Sequence, residues 1–115
     1  MCTNPNARVL SLAEVKKKLG DGNAVLIDVR EPSELKSRGT VPTAVNIPVG
    51  YINEAFGMDD EDFKIIIGAE KPQSDDPVIF FCVKGIRAKN AQDLVQNKFK
   101  YTQSYFYPGS FEHLL

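Results

Sequence analysis

Apolar residues form two kinds of pattern along this chain, and the two kinds alternate. Residues 24–27 and 78–81 are short, continuously apolar runs, and residues 44–47 form a similar run with only Asn46 polar; such runs are typical of buried strands. Between these runs, apolar residues recur at the three- to four-residue spacing of amphipathic helices. Strands that alternate with helices predict an α/β domain in three layers, with a central, mostly parallel sheet flanked by helices.

Capping and turn residues divide this pattern into elements. Ser11 and Glu14 form a capping-box pattern that starts the first helix. We predict strands at 8–10, 24–27, 44–47, 78–81 and 104–107, the first of them at an edge of the sheet. The predicted helices lie at 12–19, between 31 and 39, twice between 49 and 68, along an inward apolar stripe at 88–99, and after 109. Residues 71–77 are predicted to form a loop. The sheet would then have five strands, and Pro108-Gly109 would be a turn before the last helix.

Length and charge exclude several classes of protein. A chain of 115 residues is long enough for one core, so we expect a flexible tail at 1–7 and a single domain at 8–115. Charged residues make up 25% and hydrophobic residues 43%, which excludes a largely disordered chain. The net charge of −1 does not indicate a protein that binds nucleic acid. No apolar run approaches the length needed to cross a bilayer, and residues 1–6 lack the charged and apolar regions of a secretory signal. We expect a cytoplasmic monomer that binds neither nucleic acid nor membrane, while a longer precursor with a targeting segment stays open.

The two cysteines and the single histidine restrict the chemistry. Cys2 and Cys82 are too few for a disulfide framework, and no Cys/His spacing fits a metal site, so we predict neither a metal nor a cofactor. We expect Cys2 to be a mobile terminal thiol rather than a resolving partner. His113 is interpreted as a terminal helix residue rather than a base. A nucleophilic Cys82 would therefore depend on backbone dipoles and cations for its activation.

Cys82 stands where the apolar run at 78–81 ends and a short loop leads into a helix. The loop consists of Val83, Lys84, Gly85, Ile86 and Arg87. Its N–H groups and the positive end of the following helix would surround the sulfur, and the two cations would favour the thiolate. The alternative is a buried cysteine that only fills the core. We favour the reactive interpretation, because a glycine, two cations and the start of a helix follow Cys82 within five residues. Ligands of such sheets also bind at the carboxyl ends of strands.

Four segments in this order resemble the single-domain rhodaneses, a family of sulfurtransferases. The segments are 26–34, 39–48, the loop 81–87 and the C-terminal 107–111, and they extend over most of the chain. The length and residues 70–72 and 80–82 are most similar to the small eukaryotic thiosulfate:glutathione sulfurtransferases. Thr40, Thr43 and Leu114 depart from the family, which often has His, Gly and a nearby Trp there.

The resemblance implies a rhodanese fold and a ping-pong reaction through a Cys82 persulfide. Thiosulfate or a related donor would load the sulfur, and glutathione, another thiol or cyanide would remove it. The loop N–H groups would hold the sulfur atoms, while Lys84 and Arg87 would bind the anionic donor, unless they are only surface charges. Either Asp28 orients the loop or an arginine, or Asp28 and Arg30 form a structural salt bridge, and the structural interpretation is favoured for both.

Two other functions stay open at this point. Phosphatases with a related loop place five residues between Cys and Arg, whereas four separate Cys82 from Arg87, and the tighter ring suits sulfur better than phosphate. The second alternative is a persulfide carrier or redox-interaction module that serves a protein partner, such as a thioredoxin-like or other thiol protein.

Overall fold

The computed structural model describes residues 8–22 and 24–115. The flexible tail predicted at 1–7 and Cys2 lie outside the described residues. The helices are α1 (Leu12–Gly20), α2 (Pro32–Arg38), α3 (Ile52–Phe56), α4 (Asp60–Ile67) and α5 (Ile86–Phe99), and the strands are β1 (Val25–Asp28), β2 (Val45–Asn46), β3 (Val78–Cys82) and β4 (Ser104–Ser110). Two 3-10 helices complete the fold, at Val49–Tyr51 and Phe111–Leu114. No helix among the described residues has the length and apolar character needed to cross a membrane.

The sheet has the order β2-β1-β3-β4, and its neighbouring strands pair in parallel. This confirms the predicted α/β class with a parallel sheet between helices. The predicted count of five strands is wrong for the described part of the chain, which has four. The segment at 8–10 forms only an isolated bridge, from Val9 to Phe106. Its pairing ends there because Ser11 is already the N-cap of α1, with its side chain accepting a hydrogen bond from the Glu14 backbone.

Strand β3 is buried along its whole length and divides the core into two. Because side chains alternate across a strand, Val78, Phe80 and Cys82 point into one apolar cluster, whereas Ile79 and Phe81 point into the other. The first cluster also holds the buried apolar residues of α3, α4 and α5, and the second holds those of α1 and the C-terminal 3-10 helix. The sheet is thus covered on both faces, which explains why its central strand is continuously apolar.

Strand β4 extends further than the sequence predicts. Pro108 and Gly109 do not form a turn, because the strand continues through both to Ser110. The pairing of β3 with β4 shifts register between Phe80 and Cys82, so that Cys82 pairs with Ser110. Proline is tolerated here because β4 is an edge strand of the sheet. The irregular end of β4 consequently lies directly beside the residues that follow Cys82.

Candidate active site

Cys82 occupies the predicted position at the carboxyl end of β3, followed by residues 83–85 and the first turn of α5. The backbone N–H of Gly85 donates a hydrogen bond to Cys82 Sγ over 3.1 Å. Cys82 is only 1% exposed, yet it lines a cavity of about 440 Å³ together with Val83, Lys84, Ile86 and Arg87. Cys82 therefore packs against the core and at the same time borders a space large enough for a small molecule.

Gly85 shapes the loop in a way that other residues cannot. Its φ of 87° lies in the left-handed region, and a Cβ atom built on it would lie 2.7 Å from the carbonyl oxygen of Pro108. Gly85 is also the N-cap of α5, and its carbonyl accepts the first hydrogen bond of the helix, from the Lys89 N–H. The close approach of β4 and the lack of a side chain together turn the Gly85 N–H toward the sulfur.

The two loop cations differ in their surroundings. Lys84 is exposed at the cavity and makes no side-chain hydrogen bond or salt bridge within the described residues. Arg87 is held by Glu34 of α2, with Nη1 donating to Oε1 over 2.6 Å and Nη2 donating to Oε2 over 3.0 Å. This fork is a bidentate ion pair, the strongest geometry for an arginine and a carboxylate.

The pair perturbs the ionisation of both partners. The hydrogen bonds from Arg87 lower the pKa of Glu34 to about 2, with further lowering by the Glu31 N–H and the Arg30 charge. In return, the hydrogen bond to Glu34 raises the pKa of Arg87, and the charge of a Cys82 thiolate would raise it further. Glu34 and Arg87 are therefore charged at neutral pH.

Asp28 and Arg30 lie at the same edge of the sheet but away from water. Arg30 Nε donates to both carboxylate oxygens of Asp28, and Nη2 donates to Oδ2 over 2.6 Å. Nη2 also donates to the Gly39 carbonyl, and the guanidinium lies 3.7 Å from the ring centroid of Phe111. Neither Asp28 nor Arg30 lines the cavity. This geometry fits the structural salt bridge that the sequence analysis favoured.

Sequence reasoning missed one charged residue that contacts this site, and it interpreted His113 as a terminal helix residue. In the sequence analysis Glu34 falls only within the short helix predicted between 31 and 39, although an acidic residue shortly after β1 lies at the same edge of the sheet as the Cys82 loop. That edge position was the available signal. His113 lies in the C-terminal 3-10 helix, where Nδ1 is 2.7 Å from the Tyr107 hydroxyl, and it does not line the cavity. Within residues 8–22 and 24–115, no three His, Cys, Asp or Glu side chains group as metal ligands.

Comparison with known proteins defines the class. The model of the rhodanese-like domain matches residues 11–114, which is nearly the whole chain. The protein therefore belongs to the rhodanese-like domain family, as the sequence motifs predict.

Individual relatives come from animals and fungi. The human thiosulfate:glutathione sulfurtransferase is 36% identical over 110 residues, which cover 95% of this chain and 94% of the relative. The mitochondrial thiosulfate sulfurtransferase RDL2 of Saccharomyces cerevisiae is 41% identical over 86 residues, which cover 75% of this chain. The solved structure of the human single-domain sulfurtransferase TSTD1 superposes with a TM-score of 0.86 at 36% identity, covering 94% of this chain and 95% of that one.

The fungal relatives are longer than this chain. The matched region spans 56% of the Saccharomyces cerevisiae relative and 66% of a mitochondrial relative from Schizosaccharomyces pombe.

Proposed function

We propose that this protein is a thiosulfate sulfurtransferase that carries sulfur as a persulfide on Cys82. The observation that carries this proposal is the placement of Cys82 beside a cavity, with the Gly85 N–H bonded to its sulfur and two cations at the rim. Relatives that span most of this chain and are named for thiosulfate sulfurtransferase activity support the same chemistry.

The first half-reaction loads the sulfur. The Cys82 thiolate attacks the outer sulfur of thiosulfate, and a new bond forms between the two sulfur atoms. The sulfur–sulfur bond of thiosulfate breaks, and sulfite leaves with the bonding electron pair. The product is a Cys82 persulfide anion, and no oxidant or reductant is consumed.

The second half-reaction removes the sulfur. An acceptor thiolate, for which we propose glutathione, attacks the outer sulfur of the persulfide and becomes a persulfide itself. The bond to Sγ breaks, and Cys82 leaves as the thiolate that began the cycle. Cyanide would accept the sulfur in the same way and become thiocyanate.

The loop residues have separate roles in this scheme. The Gly85 N–H stabilises negative charge on sulfur, and Val83 and Ile86 provide apolar walls for the sulfane sulfur. Lys84 and the N–H groups of Arg87 that Glu34 does not engage would bind the donor's oxygen atoms and the departing sulfite. Asp28 and Arg30 support the edge of the sheet beneath the loop and do not contact the substrate.

The test is a mass measurement on the intact protein. Incubation with thiosulfate, followed by removal of the excess, should add the mass of one sulfur atom to the wild type and nothing to Cys82→Ser. Cys2→Ser is the matched control, and it should gain the sulfur as the wild type does. A wild type that gains no sulfur, or a Cys82→Ser variant that still gains it, would contradict the proposal.

A persulfide carrier for a protein partner is the second candidate function. Ile86 is 68% exposed at the rim of the cavity, which gives a protein thiol an apolar contact beside Cys82. Steady-state assays that compare glutathione, cyanide and a thioredoxin-like dithiol protein as acceptors separate the two functions. Slow turnover with both small acceptors and rapid transfer to the protein would favour the carrier.

We also propose that the protein is a monomer and that it is located in the cytoplasm. Both statements stay predictions, and the Saccharomyces cerevisiae relative is named as mitochondrial. Fractionation of cells that express the full-length gene, and light scattering of the purified protein, test them.

A further inference from the structure

Glu34 does not line the cavity beside Cys82, but its carboxylate binds Arg87, which lines this site proposed to bind a dianion. It lies in the first turn of α2 and reaches across to Arg87, 53 residues further along the chain. Arg87 lines the cavity beside Cys82, and both terminal nitrogens of its guanidinium point at Glu34. The charge of this cation is thus already matched by a protein anion before any donor binds.

The ion pair of Glu34 and Arg87 is partly buried and partly exposed to solvent. The side chain of Arg87 is 32% exposed and that of Glu34 is 26% exposed. At this depth the field of Glu34 is only partly screened by water, so the carboxylate acts on any anion that enters the cavity. Lys84 is left as the loop cation with no side-chain salt bridge among the described residues.

We propose that Glu34 is a specificity-determining residue, which fixes Arg87 in place and limits the affinity of the Cys82 cavity for doubly charged donors. With Glu34 present, Lys84, Arg87 and Glu34 together offer a dianion one net positive charge, before the negative charge of the Cys82 thiolate is counted. Donors of lower charge, such as organic persulfides, are disfavoured less by the same carboxylate. This inference rests on the proposed sulfur transfer and adds to it a reason for donor choice.

Glu34 also has a local structural role, which determines the choice of variant. Its Oε1 accepts a hydrogen bond of 3.0 Å from the Glu31 N–H and so closes the first turn of α2. Glu34→Ala would remove both this cap and the ion pair. Glu34→Gln keeps an oxygen for the Glu31 N–H, while it removes the negative charge and one of the two acceptors of the Arg87 fork, so the cap is retained and the ion pair is lost.

The first readout is steady-state kinetics with thiosulfate. Removal of one negative charge several ångströms from a bound dianion should lower the KM for thiosulfate about threefold to tenfold, because the interaction is only partly screened. The KM of a neutral acceptor thiol, such as mercaptoethanol, should not change. Lys84→Gln changes the site charge in the opposite direction and should raise the KM for thiosulfate.

A matched control separates local from global charge. Glu70→Gln is the same substitution with the same change of net charge, in an exposed pair with Lys64 that does not line the cavity. It should leave the KM for thiosulfate at the wild-type value. High salt should reduce the difference between Glu34→Gln and the wild type, since screening weakens the field that the variant alters.

A second readout does not depend on sulfur transfer. Iodoacetate and iodoacetamide alkylate a thiol by the same displacement, but only the first is an anion. Glu34→Gln should raise the ratio of the iodoacetate rate to the iodoacetamide rate at Cys82 about twofold to fivefold. The folded protein is alkylated, and the extent of reaction is then measured on the peptide that contains Cys82. A role of Glu34 in stability alone would change both rates together.

The outcomes distinguish this inference from the proposed function. If the wild type forms the persulfide and Glu34→Gln raises or leaves unchanged the KM for thiosulfate, the inference is wrong and the proposed function stands. If the wild type forms no persulfide, the proposed function fails, and the alkylation ratio still decides the inference. An unchanged ratio overturns it.

Discussion

Two arginine–carboxylate pairs lie at the same edge of the sheet and differ most in their contact with water. The side chains of Asp28 and Arg30 are 1% and 0% exposed, whereas Glu34 and Arg87 keep about a quarter to a third of their side-chain surface. The chemistry of the two pairs is the same. The difference in burial decides what each pair can do for the protein.

The buried pair is bound to the fold, and the half-buried pair is available to a substrate. Arg30 is enclosed by Asp28, the Gly39 carbonyl and the ring of Phe111, so neither charge can change its partner without a large desolvation cost. Arg87 faces a cavity, where an entering anion can compete with Glu34. The comparison teaches that burial, rather than the presence of an ion pair, separates a structural arginine from one that acts on ligands.

The largest expected effect comes from breaking the buried pair. Asp28→Asn leaves the guanidinium of Arg30 without a counter-charge in a site that water does not reach, which should cost about 3–5 kcal/mol of the free energy of unfolding. Urea denaturation of the variant and the wild type measures this. Glu34→Gln breaks the half-buried pair by the same kind of substitution and should cost only about 1 kcal/mol, because water replaces part of the interaction.

A double variant sharpens the result for the buried pair. Asp28→Asn with Arg30→Met removes the isolated charge and should recover most of the loss, since the penalty comes from the charge left unpaired. If Asp28→Asn and Glu34→Gln lowered the free energy of unfolding by equal amounts, the assignment of the two pairs to different roles would be contradicted.

Acid provides a smaller test of the half-buried pair, because it removes the charge of Glu34 without a substitution. The pKa of this carboxyl is lowered from its ordinary value of 4.5 to about 2 by Arg87. A lowered pKa stabilises the folded state above the unfolded-state value, and this stabilisation is lost as the pH falls from about 4.5 toward 2. The difference in Tm between the wild type and Glu34→Gln should therefore be constant from pH 5 to 7 and shrink below pH 4.5. A difference that does not change down to pH 2 would contradict the pairing.

The sequence alone predicts Cys82 and its loop, because every signal for them is local. The apolar run at 78–81 identifies a central strand, and Gly85 marks a backbone conformation that other residues avoid. The position of Cys82 at the ligand-binding edge of the sheet follows from these signals as well, since such folds bind ligands at the carboxyl ends of their strands.

The features that the sequence did not predict depend on contacts between distant segments. The pairing of Glu34 with Arg87 requires the order of β1 and β3 in the sheet, which no local pattern contains. The extension of β4 through Pro108 contradicts the usual effect of proline and follows from the edge position of that strand.

The smallest expected effect concerns Thr43, in the connection between α2 and β2 and outside both pairs. Its φ of 69° is unfavourable for a β-branched residue, and its side chain is exposed. Thr43→Gly, which removes the Cβ atom at this positive φ, should relieve this strain and raise the free energy of unfolding by about 0.5 kcal/mol after the entropy cost of glycine. Thr40→Gly is the matched control, because Thr40 is also exposed but has no positive φ, and it should lower stability. Thermal denaturation should show the two Tm shifts in opposite directions, with the KM for thiosulfate unchanged in Thr43→Gly. Two shifts of the same sign would mean that the backbone at Thr43 carries no strain.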